Sequence, residues 1–316
     1  MPLELIGWSV LFVISLAVLL KSAHHFTLSA EHIGLMFGAP PFVIGLTIIS
    51  MGTSLPELLS SLVAVMEGAP EIVGGNVIGS NIANIFLILG VGAILVEHLR
   101  IKHQLLNVDL PLLLGSVLFL AITAWDGFFS VGEALLAVLS FVVFLIYTLS
   151  GDAGKSSFRE VEIPARVSFS YRPFVILVIS GVFLVLGAKY TIEAVIRISA
   201  LTGIGREIVA VTAVAVGTSL PELAVTWAAA RKGNAEFVVG NVIGSNIFNT
   251  FAVMGIPGLI GGIPLPPALV ETSLPILIIA TVMVFVTTQD REMTRWEGWL
   301  FLVFYALFVG KVFGWV

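Results

Sequence analysis

The chain has 316 residues, of which 58% are hydrophobic and only 11% are charged, and its formal net charge is −5 at pH 7. Soluble domains carry about 25% charged residues, so this composition indicates an integral membrane protein rather than a soluble domain. The absence of cysteine excludes disulfides and thiolate metal sites. No basic run is long enough to bind nucleic acid, so no nucleic-acid partner is expected.

Ten segments are apolar and long enough to cross a bilayer, which takes roughly 20 such residues. In chain order they are 3–23, 40–66, 70–96, 108–124, 130–149, 173–199, 205–230, 235–262, 270–288 and 295–314. The alternation typical of membrane strands is absent, so all ten are predicted to be helices. The first segment lacks a small-residue cleavage pattern and is predicted to be a retained span rather than a signal peptide.

The most polar stretch, residues 150–172, joins five predicted spans to five more. We therefore predict an all-α polytopic fold with a first five-helix repeat at 1–149, a linker at 150–172 and a second five-helix repeat at 173–316. Because five is odd, the second half would enter the membrane from the opposite side. The two halves would then form an inverted repeat.

Lysines and arginines are distributed unevenly in this topology. With both termini outside, 11 of the 15 lie at cytoplasmic ends: Lys21, Arg100, Lys102, Lys155, Arg159, Arg166, Arg172, Arg231, Lys232, Arg291 and Arg295. The outer ends keep mainly acids: Glu4, Glu67, Glu71, Asp126 and Glu133. The positive-inside rule therefore predicts a multi-pass protein of the cell membrane with extracellular termini and a cytoplasmic linker.

Two polar blocks occur in each half, 165 residues apart. The block Gly-Thr-Ser-Leu-Pro-Glu-Leu begins at Gly52 and again at Gly217. The block Gly-Asn-Val-Ile-Gly-Ser-Asn-Ile begins at Gly75 and again at Gly240. Without a gap, the windows that hold them, 47–84 and 212–249, share 21 of 38 positions.

Each first block places a glutamate, Glu57 or Glu222, inside an apolar span. An ionisable residue at membrane depth is costly and by default marks a functional site. Two such residues at matching places in the two halves predict one shared site. A purely structural role is disfavoured for these glutamates, because burying a carboxylate without a partner is too unfavourable.

Pro56 lacks an amide hydrogen and should break its helix, which frees backbone carbonyls around Ser50 to Thr53. Such carbonyls are tolerated in a membrane only where they face protein or a wet cavity. Thr53 and Ser54 add hydroxyls, and the second half supplies Ala215, Thr218 and Ser219 in the same roles. The alternative is a pair of proline kinks whose hydroxyls bond to their own backbone.

The second block has glycines at the small-xxx-small spacing that lets helices approach closely. Ser80 and Asn84 are four residues apart and so share one helix face, as do Ser245 and Asn249. Their oxygens suit an ion site. Bonds between helices are the alternative for these asparagines and for Asn76, Asn81, Asn241 and Asn246.

Every candidate ligand is a carboxylate, amide, hydroxyl or carbonyl oxygen, which suits Ca²⁺ and Na⁺ better than soft transition metals. The five histidines, which lie outside both windows, are His24, His25, His32, His98 and His103. They are interpreted as loop or helix-end residues.

Two copies of both blocks in inverted halves resemble the sodium/calcium exchanger family of the calcium/cation antiporter superfamily, in its prokaryotic type. The resemblance implies exchange of Na⁺ for Ca²⁺ by alternating access, without an enzymatic activity or a cofactor, by a monomer in the lipid bilayer. It also implies that the first and sixth spans slide across the other eight.

The resemblance further implies four central cation sites lined by the second, third, seventh and eighth spans. Glu57 and Glu222 would be the shared Ca²⁺ carboxylates, with the carbonyls of Thr53 and Thr218. The other implied ligands, for the inner and outer Na⁺ sites, are Ser54 with Ser245, Ser219 with Ser80, and the backbone oxygens of Ser50 and Ala215. Asn84 and Asn249 complete the candidate set.

Two features bear on coupling. Some microbial members carry an acidic residue at the position of Asn249. This chain has asparagine there in both halves, so its central site has only two carboxylates. One Ca²⁺ would neutralise them and three Na⁺ would leave one positive charge, so exchange at that ratio would be electrogenic. Protons are expected to compete with Ca²⁺, because two adjacent carboxylates repel each other.

Several alternatives stay open. A Ca²⁺/H⁺ antiporter on the same fold is the nearest, although the Thr-Ser-Leu-Pro-Glu sequence at Glu57 favours sodium coupling. A potassium-coupled exchanger is disfavoured by the missing third acid. A cation channel would differ by not needing a counter-ion. A membrane-embedded enzyme is disfavoured because no His-Glu-x-x-His or comparable catalytic pattern occurs.

Overall fold

The computed structural model describes residues 2–36, 50–96, 98–100, 108–149 and 170–315. The predicted linker and the first part of the second predicted span lie largely outside these residues, and so does His103.

The described chain is mainly helical. Its α-helices are α1 Pro2–Met36, α2 Ser50–Thr53, α3 Leu55–Met66, α4 Glu71–Ile82, α5 Gly90–Val96, α6 Leu110–Thr123, α7 Val131–Leu149, α8 Arg172–Thr202, α9 Arg206–Val209, α10 Ala215–Thr218, α11 Leu220–Arg231, α12 Ala235–Phe248, α13 Gly255–Gly258, α14 Leu274–Thr287 and α15 Arg295–Val312. Among the described residues, the wider π-helical turn occurs at 108–109 and in four longer segments: π1 Ala83–Leu89, π2 Ala210–Val214, π3 Asn249–Val253 and π4 Leu269–Ser273. The strands are β1 His98–Arg100, β2 Phe128–Phe129, β3 Ile263–Pro264 and β4 Glu292–Thr294.

Within the described residues, every predicted span overlaps a helix or a series of helices, the second span from residue 50 onward. Seven described stretches are long and apolar enough to cross a membrane: Leu3–Gly34, Glu71–Val96, Val131–Thr148, Arg172–Thr202, Arg206–Arg231, Phe237–Gly258 and Leu269–Thr287. The apolar helices α3 and α6 are shorter, and α15 carries three charged residues, Arg295, Glu297 and Lys311. The chain is therefore a multi-span helical membrane protein, and the count of ten stays a prediction.

Two short antiparallel strand pairs join the halves. Strand β1 pairs with β4, with Leu99 opposite Met293, and β2 pairs with β3, with Phe129 opposite Ile263. The predicted topology assigns β1 and β4 to one side of the membrane and β2 and β3 to the other. Each pair therefore connects loops that the topology places on the same side.

The buried apolar side chains form two clusters. The larger one includes the interior of α4, π1, α12 and π3 and contains residues such as Phe86, Ile247 and Phe301. The smaller one lies on α1 and α8 and consists of Leu16, Leu19, Ala23, Leu184 and Ala188. The pair α1–α8 thus has a packed core of its own.

Helices α1 and α8 pack as one antiparallel pair. Thr191 Oγ1 donates to Ser15 Oγ at 3.0 Å, and the guanidinium of Arg197 lies 5.5 Å from the ring centre of Trp8. Between them the backbones approach so closely that a Cβ on Gly187 would lie 2.8 Å from the Cα of Leu19. A glycine at this position is what lets the two helices touch.

Gly187→Val tests this close contact. A side chain would press on the backbone of Leu19, and overpacking typically costs about 1–3 kcal/mol. We therefore expect Gly187→Val to lower the midpoint of thermal unfolding in detergent. Gly181→Ala is the matched control on the same helix, because its added Cβ would meet Phe26 at an ordinary 3.6 Å. An unchanged midpoint in Gly187→Val would contradict the packing described here.

Candidate cation-binding site

Both repeats contain a helix break at the predicted place. Ser54 separates α2 from α3 with φ −90° and ψ 9°, and Ser219 separates α10 from α11 with φ −82° and ψ 4°. Pro56 and Pro221 follow in the first turns of α3 and α11. The predicted breaks are confirmed.

Proline chemistry explains why the chain breaks there. In a continuous helix the amide of Pro56 would donate to the carbonyl of Gly52, and that of Pro221 to the carbonyl of Gly217, but proline has no such hydrogen. Helix α1 crosses both breaks: a Cβ on Gly52 would overlap Thr27, and one on Gly217 would overlap Leu16. The breaks therefore lie in the protein interior, against the α1–α8 pair.

The two glutamates are held crosswise between the halves. Ser54 Oγ donates to Oε1 of Glu222 at 2.7 Å, and Ser219 Oγ donates to Oε1 of Glu57 at 3.3 Å. The two pairs are equivalent in the repeat. Within the described residues, both serine hydroxyls therefore donate across the two halves and not to the backbone of their own helix.

Each carboxylate is left with one open oxygen. Glu57 and Glu222 are 0% exposed, and Oε2 of each has no hydrogen-bond partner among the described residues. Charge buried in this way is very unfavourable unless something compensates for it. The open oxygens are therefore suited to an external cation.

Further oxygens with no partner within the described part of the chain lie on α12, π1 and π3. They are Ser245 Oγ, Asn84 Oδ1 and Asn249 Oδ1, and all three residues are 0% exposed. Ser80 Oγ donates weakly to the carbonyl oxygen of Ala215 at 3.4 Å. These residues belong to the predicted ligand set.

The two predicted threonines take equivalent places: Thr53 lies beside Glu222 and Thr218 beside Glu57. The Thr218 hydroxyl also donates to the carbonyl oxygen four residues back at 3.0 Å. Ser50 opens α2, and only its backbone is described.

Asn76 and Asn241 each bond to the neighbouring helix of their own half. Asn76 Nδ2 donates to Ser61 Oγ at 3.1 Å and to the carbonyl oxygen of Glu57 at 3.2 Å. Asn241 Nδ2 donates to Thr226 Oγ1 at 3.2 Å. Ser61 and Thr226 were not among the predicted residues, although they are hydroxyl residues at the same 165-residue offset.

The predicted close helix approach is confirmed for the first half. A Cβ on Gly75 would lie 2.5 Å from the carbonyl oxygen of Glu207, and one on Gly79 would lie 2.7 Å from the Cβ of Ala215. By the repeat, Gly244 would face residues 46–50, most of which are outside the described ranges. The same prediction for the second half is therefore untested.

Two of the amide residues lie where the helix widens. Asn84 is the second residue of π1 and Asn249 is the first of π3. The amide of Met254 donates to the carbonyl oxygen of Asn249 at 3.0 Å, five residues back. Single π-helical turns occur frequently at functional sites, and here they occur at equivalent places in both repeats.

The arrangement offers two carboxylates, two amide oxygens and several hydroxyls to one buried region. Hard cations such as Ca²⁺ and Na⁺ bind flexible sets of oxygen ligands of this kind. Comparison with known sequences agrees with this chemistry: the family model described as sodium/calcium exchanger protein matches residues 8–150 and 172–314. The chain belongs to the sodium/calcium exchanger family. This is a family of transporters.

Individual relatives of the family support this membership. The sodium/calcium exchanger MaX1 of Methanosarcina acetivorans is 34% identical, over 96% of this chain and 97% of the relative. The inner membrane protein YrbG of Escherichia coli is 36% identical, over 79% of each. A solved structure of the sodium–calcium exchanger NCX_Mj, soaked with Na⁺ and Sr²⁺, matches with a TM-score of 0.65 and 30% identity, over 96% of this chain and 98% of that one.

The crossed serine bonds should differ in strength. Hydrogen bonds to charged groups contribute about 1.5–3 kcal/mol, and the shorter Ser54–Glu222 bond should lie higher in that range than the Ser219–Glu57 bond. We expect Ser54→Ala to lower the thermal midpoint in Ca²⁺- and Na⁺-free detergent solution more than Ser219→Ala does. Ser140→Ala is the control, since this exposed hydroxyl bonds only to its own helix at 2.9 Å. The reverse order would contradict the geometry.

Proposed function

We propose that this protein is a secondary active antiporter that exchanges Na⁺ for Ca²⁺ across the cell membrane. The observation that carries the proposal is the crossed pair of fully buried glutamates, each with one oxygen that no described residue bonds. Two carboxylates on opposite halves suit one divalent cation between them. The names of its relatives, which are sodium/calcium exchangers, support Na⁺ and Ca²⁺ as the exchanged ions.

The calcium site in this proposal uses both halves equally. Glu57 and Glu222 supply the charge, and the backbone carbonyls of Thr53 and Thr218, at the ends of α2 and α10, complete the shell. Both carbonyls lie immediately before the helix breaks. A cation at this place compensates charge that the protein itself leaves uncompensated.

The sodium sites in this proposal use the hydroxyls and amides around the calcium site. Ser54 with Ser245 and Ser219 with Ser80 form the inner and outer sites, together with the backbone oxygens of Ser50 and Ala215. Asn84 and Asn249 line the centre. The open oxygens of Ser245, Asn84 and Asn249 support these roles.

Charge balance makes exchange of three Na⁺ for one Ca²⁺ electrogenic. The two carboxylates cancel the charge of one Ca²⁺, whereas three Na⁺ leave one positive charge. Moving that charge through the membrane potential is worth about 2.3 kcal/mol per 100 mV. Transport should therefore respond to an imposed potential.

Alternating access in this proposal comes from movement of the α1–α8 pair over the rest of the protein. The pair has its own apolar cluster, and it covers both helix breaks at Thr27 and Leu16. Sliding of the pair would uncover one side of the site and then the other. The protein needs no partner chain for this and is proposed to work as a monomer.

A Ca²⁺/H⁺ antiporter is the second candidate. The same two carboxylates favour it, because bound protons could compensate the charge of the carboxylates as well as a metal cation does. Competition of protons with Ca²⁺ is expected in either case. The coupling ion distinguishes the two candidates.

The repeat boundaries and the orientation also belong to this proposal. The halves are 1–149 and 173–316, joined by the cytoplasmic linker 150–172, and the two matched segments of the family model support this division. Both termini are proposed to be extracellular.

Ca²⁺ uptake into proteoliposomes loaded with Na⁺ tests the exchange. We expect uptake to require internal Na⁺, to be absent with choline, and to fall to the level of protein-free vesicles in Glu57→Gln, because one of the two carboxylates is lost. Glu133→Gln is the matched control: Glu133 caps α7 away from the site, and glutamine keeps its hydrogen-bond acceptor for Ser130.

Other outcomes of this assay would change the function. Uptake that ignores Na⁺ but follows a pH gradient would favour the Ca²⁺/H⁺ candidate. A requirement for K⁺ would indicate a potassium-coupled exchanger. Rapid flux that needs no counter-ion would indicate a channel.

Single cysteines in this cysteine-free chain test the orientation. Trp315→Cys places a thiol at an exposed position near the carboxyl terminus, and Lys232→Cys places one on an exposed turn predicted to be cytoplasmic. We expect a membrane-impermeant maleimide to label the first in intact cells and the second only after permeabilisation. The opposite pattern would invert the proposed topology.

A further inference from the structure

An amide network joins the two halves beside the candidate site. Asn81 and Asn246 are equivalent in the repeat, and both are 0% exposed. Asn81 Nδ2 donates to the backbone oxygen of Asn246 at 3.4 Å, and Asn246 Nδ2 donates to the backbone oxygen of Asn81 at 3.3 Å. This reciprocal pair lies where the two repeats meet.

The chemistry of these bonds determines which way each amide faces. A backbone carbonyl only accepts, so the atom of Asn246 that reaches Asn81 must be its nitrogen. Its Oδ1 therefore faces Asn84, whose Nδ2 donates to it at 2.9 Å. Since the nitrogen of Asn84 is committed to Asn246, the oxygen of Asn84 points away from this bond, and it has no partner among the described residues.

The equivalent bond is not made in the second half. Asn81 Nδ2 also donates to Thr250 Oγ1 at 3.0 Å, whereas its Oδ1 has no partner within the described ranges. Neither amide atom of Asn249 has such a partner either. One central amide is thus held in a fixed orientation, and its counterpart is not.

We propose that Asn246 is a positioning residue that turns the amide oxygen of Asn84 toward the bound cation. The inference rests on the proposed function, because it needs a cation at the shared site. The nitrogen of Asn246 bonds to Asn81 and its oxygen to Asn84, so Asn246 acts on the site through the amide of Asn84. Without Asn246, the amide of Asn84 is free to turn its NH₂ group toward the ion. An NH₂ group repels a cation.

The first test is the KM for Ca²⁺ of uptake into Na⁺-loaded proteoliposomes. We expect Asn246→Ala to raise the KM about tenfold, a difference of about 1.4 kcal/mol, while the maximal rate falls less. Asn81→Ala is the matched control. It removes the other half of the reciprocal pair but leaves the Asn84–Asn246 bond in place, so its KM should change less than about threefold.

A second readout separates positioning from general packing. A carboxylate presents an oxygen whichever way it turns, so Asn84→Asp should need no positioning residue. Adding Asn246→Ala to Asn84→Asp should then leave the KM of the single variant within about twofold. If Asn246 serves packing alone, its loss should have the same effect in both backgrounds.

The outcomes distinguish this inference from the proposed function. Wild-type uptake with an unchanged KM in Asn246→Ala, or with an equal rise in Asn81→Ala, would overturn the inference alone. A tenfold rise that persists in the Asn84→Asp background would also overturn it. Wild-type protein without any Na⁺-dependent uptake would overturn the proposed function and this inference with it.

Discussion

The burial of two carboxylates in one membrane-embedded region is the constraint on which the rest of the site depends. Glu57 and Glu222 come from opposite halves, and each accepts one hydrogen bond from a serine of the other half. Hydroxyl groups alone do not compensate a buried charge. Within the described part of the chain, the neighbouring groups are amide and hydroxyl oxygens, and no ion pair joins either glutamate to a lysine or arginine.

The two repeats place equivalent groups in this one region. Each repeat contributes a helix that is broken next to a proline. Each broken helix carries one glutamate and one serine, and the serine donates a hydrogen bond to the glutamate of the other repeat. Because the bonds cross, each glutamate accepts its serine hydrogen bond from the other half. The strand pairs β1–β4 and β2–β3 join the halves at both ends of the molecule, while the α1–α8 pair packs over the breaks with a cluster of its own.

The helix breaks were predictable because proline lacks the amide hydrogen that a helix needs. The two buried glutamates were predictable as site residues because a carboxylate at membrane depth is energetically costly. The hydrogen-bond partners of the serines were not predictable. Whether Ser54 meets Glu222 or its own backbone depends on packing between residues 168 positions apart. The π-helical turns at Asn84 and Asn249 have no recognised local signature. Hydropathy predicts ten spans, of which seven correspond to described helices with the length and composition of a span. The count of ten stays a prediction, because part of the second predicted span lies outside the described residues.

The central claim, that both halves build one calcium site, is tested most directly by equilibrium binding of radioactive Ca²⁺ to the purified protein. We expect one Ca²⁺ per chain, displaced by Na⁺, and complete loss of binding in Glu57→Gln and in Glu222→Gln alike. Two Ca²⁺ per chain in the wild type, with one retained in each variant, would contradict it, because each half would then hold an ion by itself.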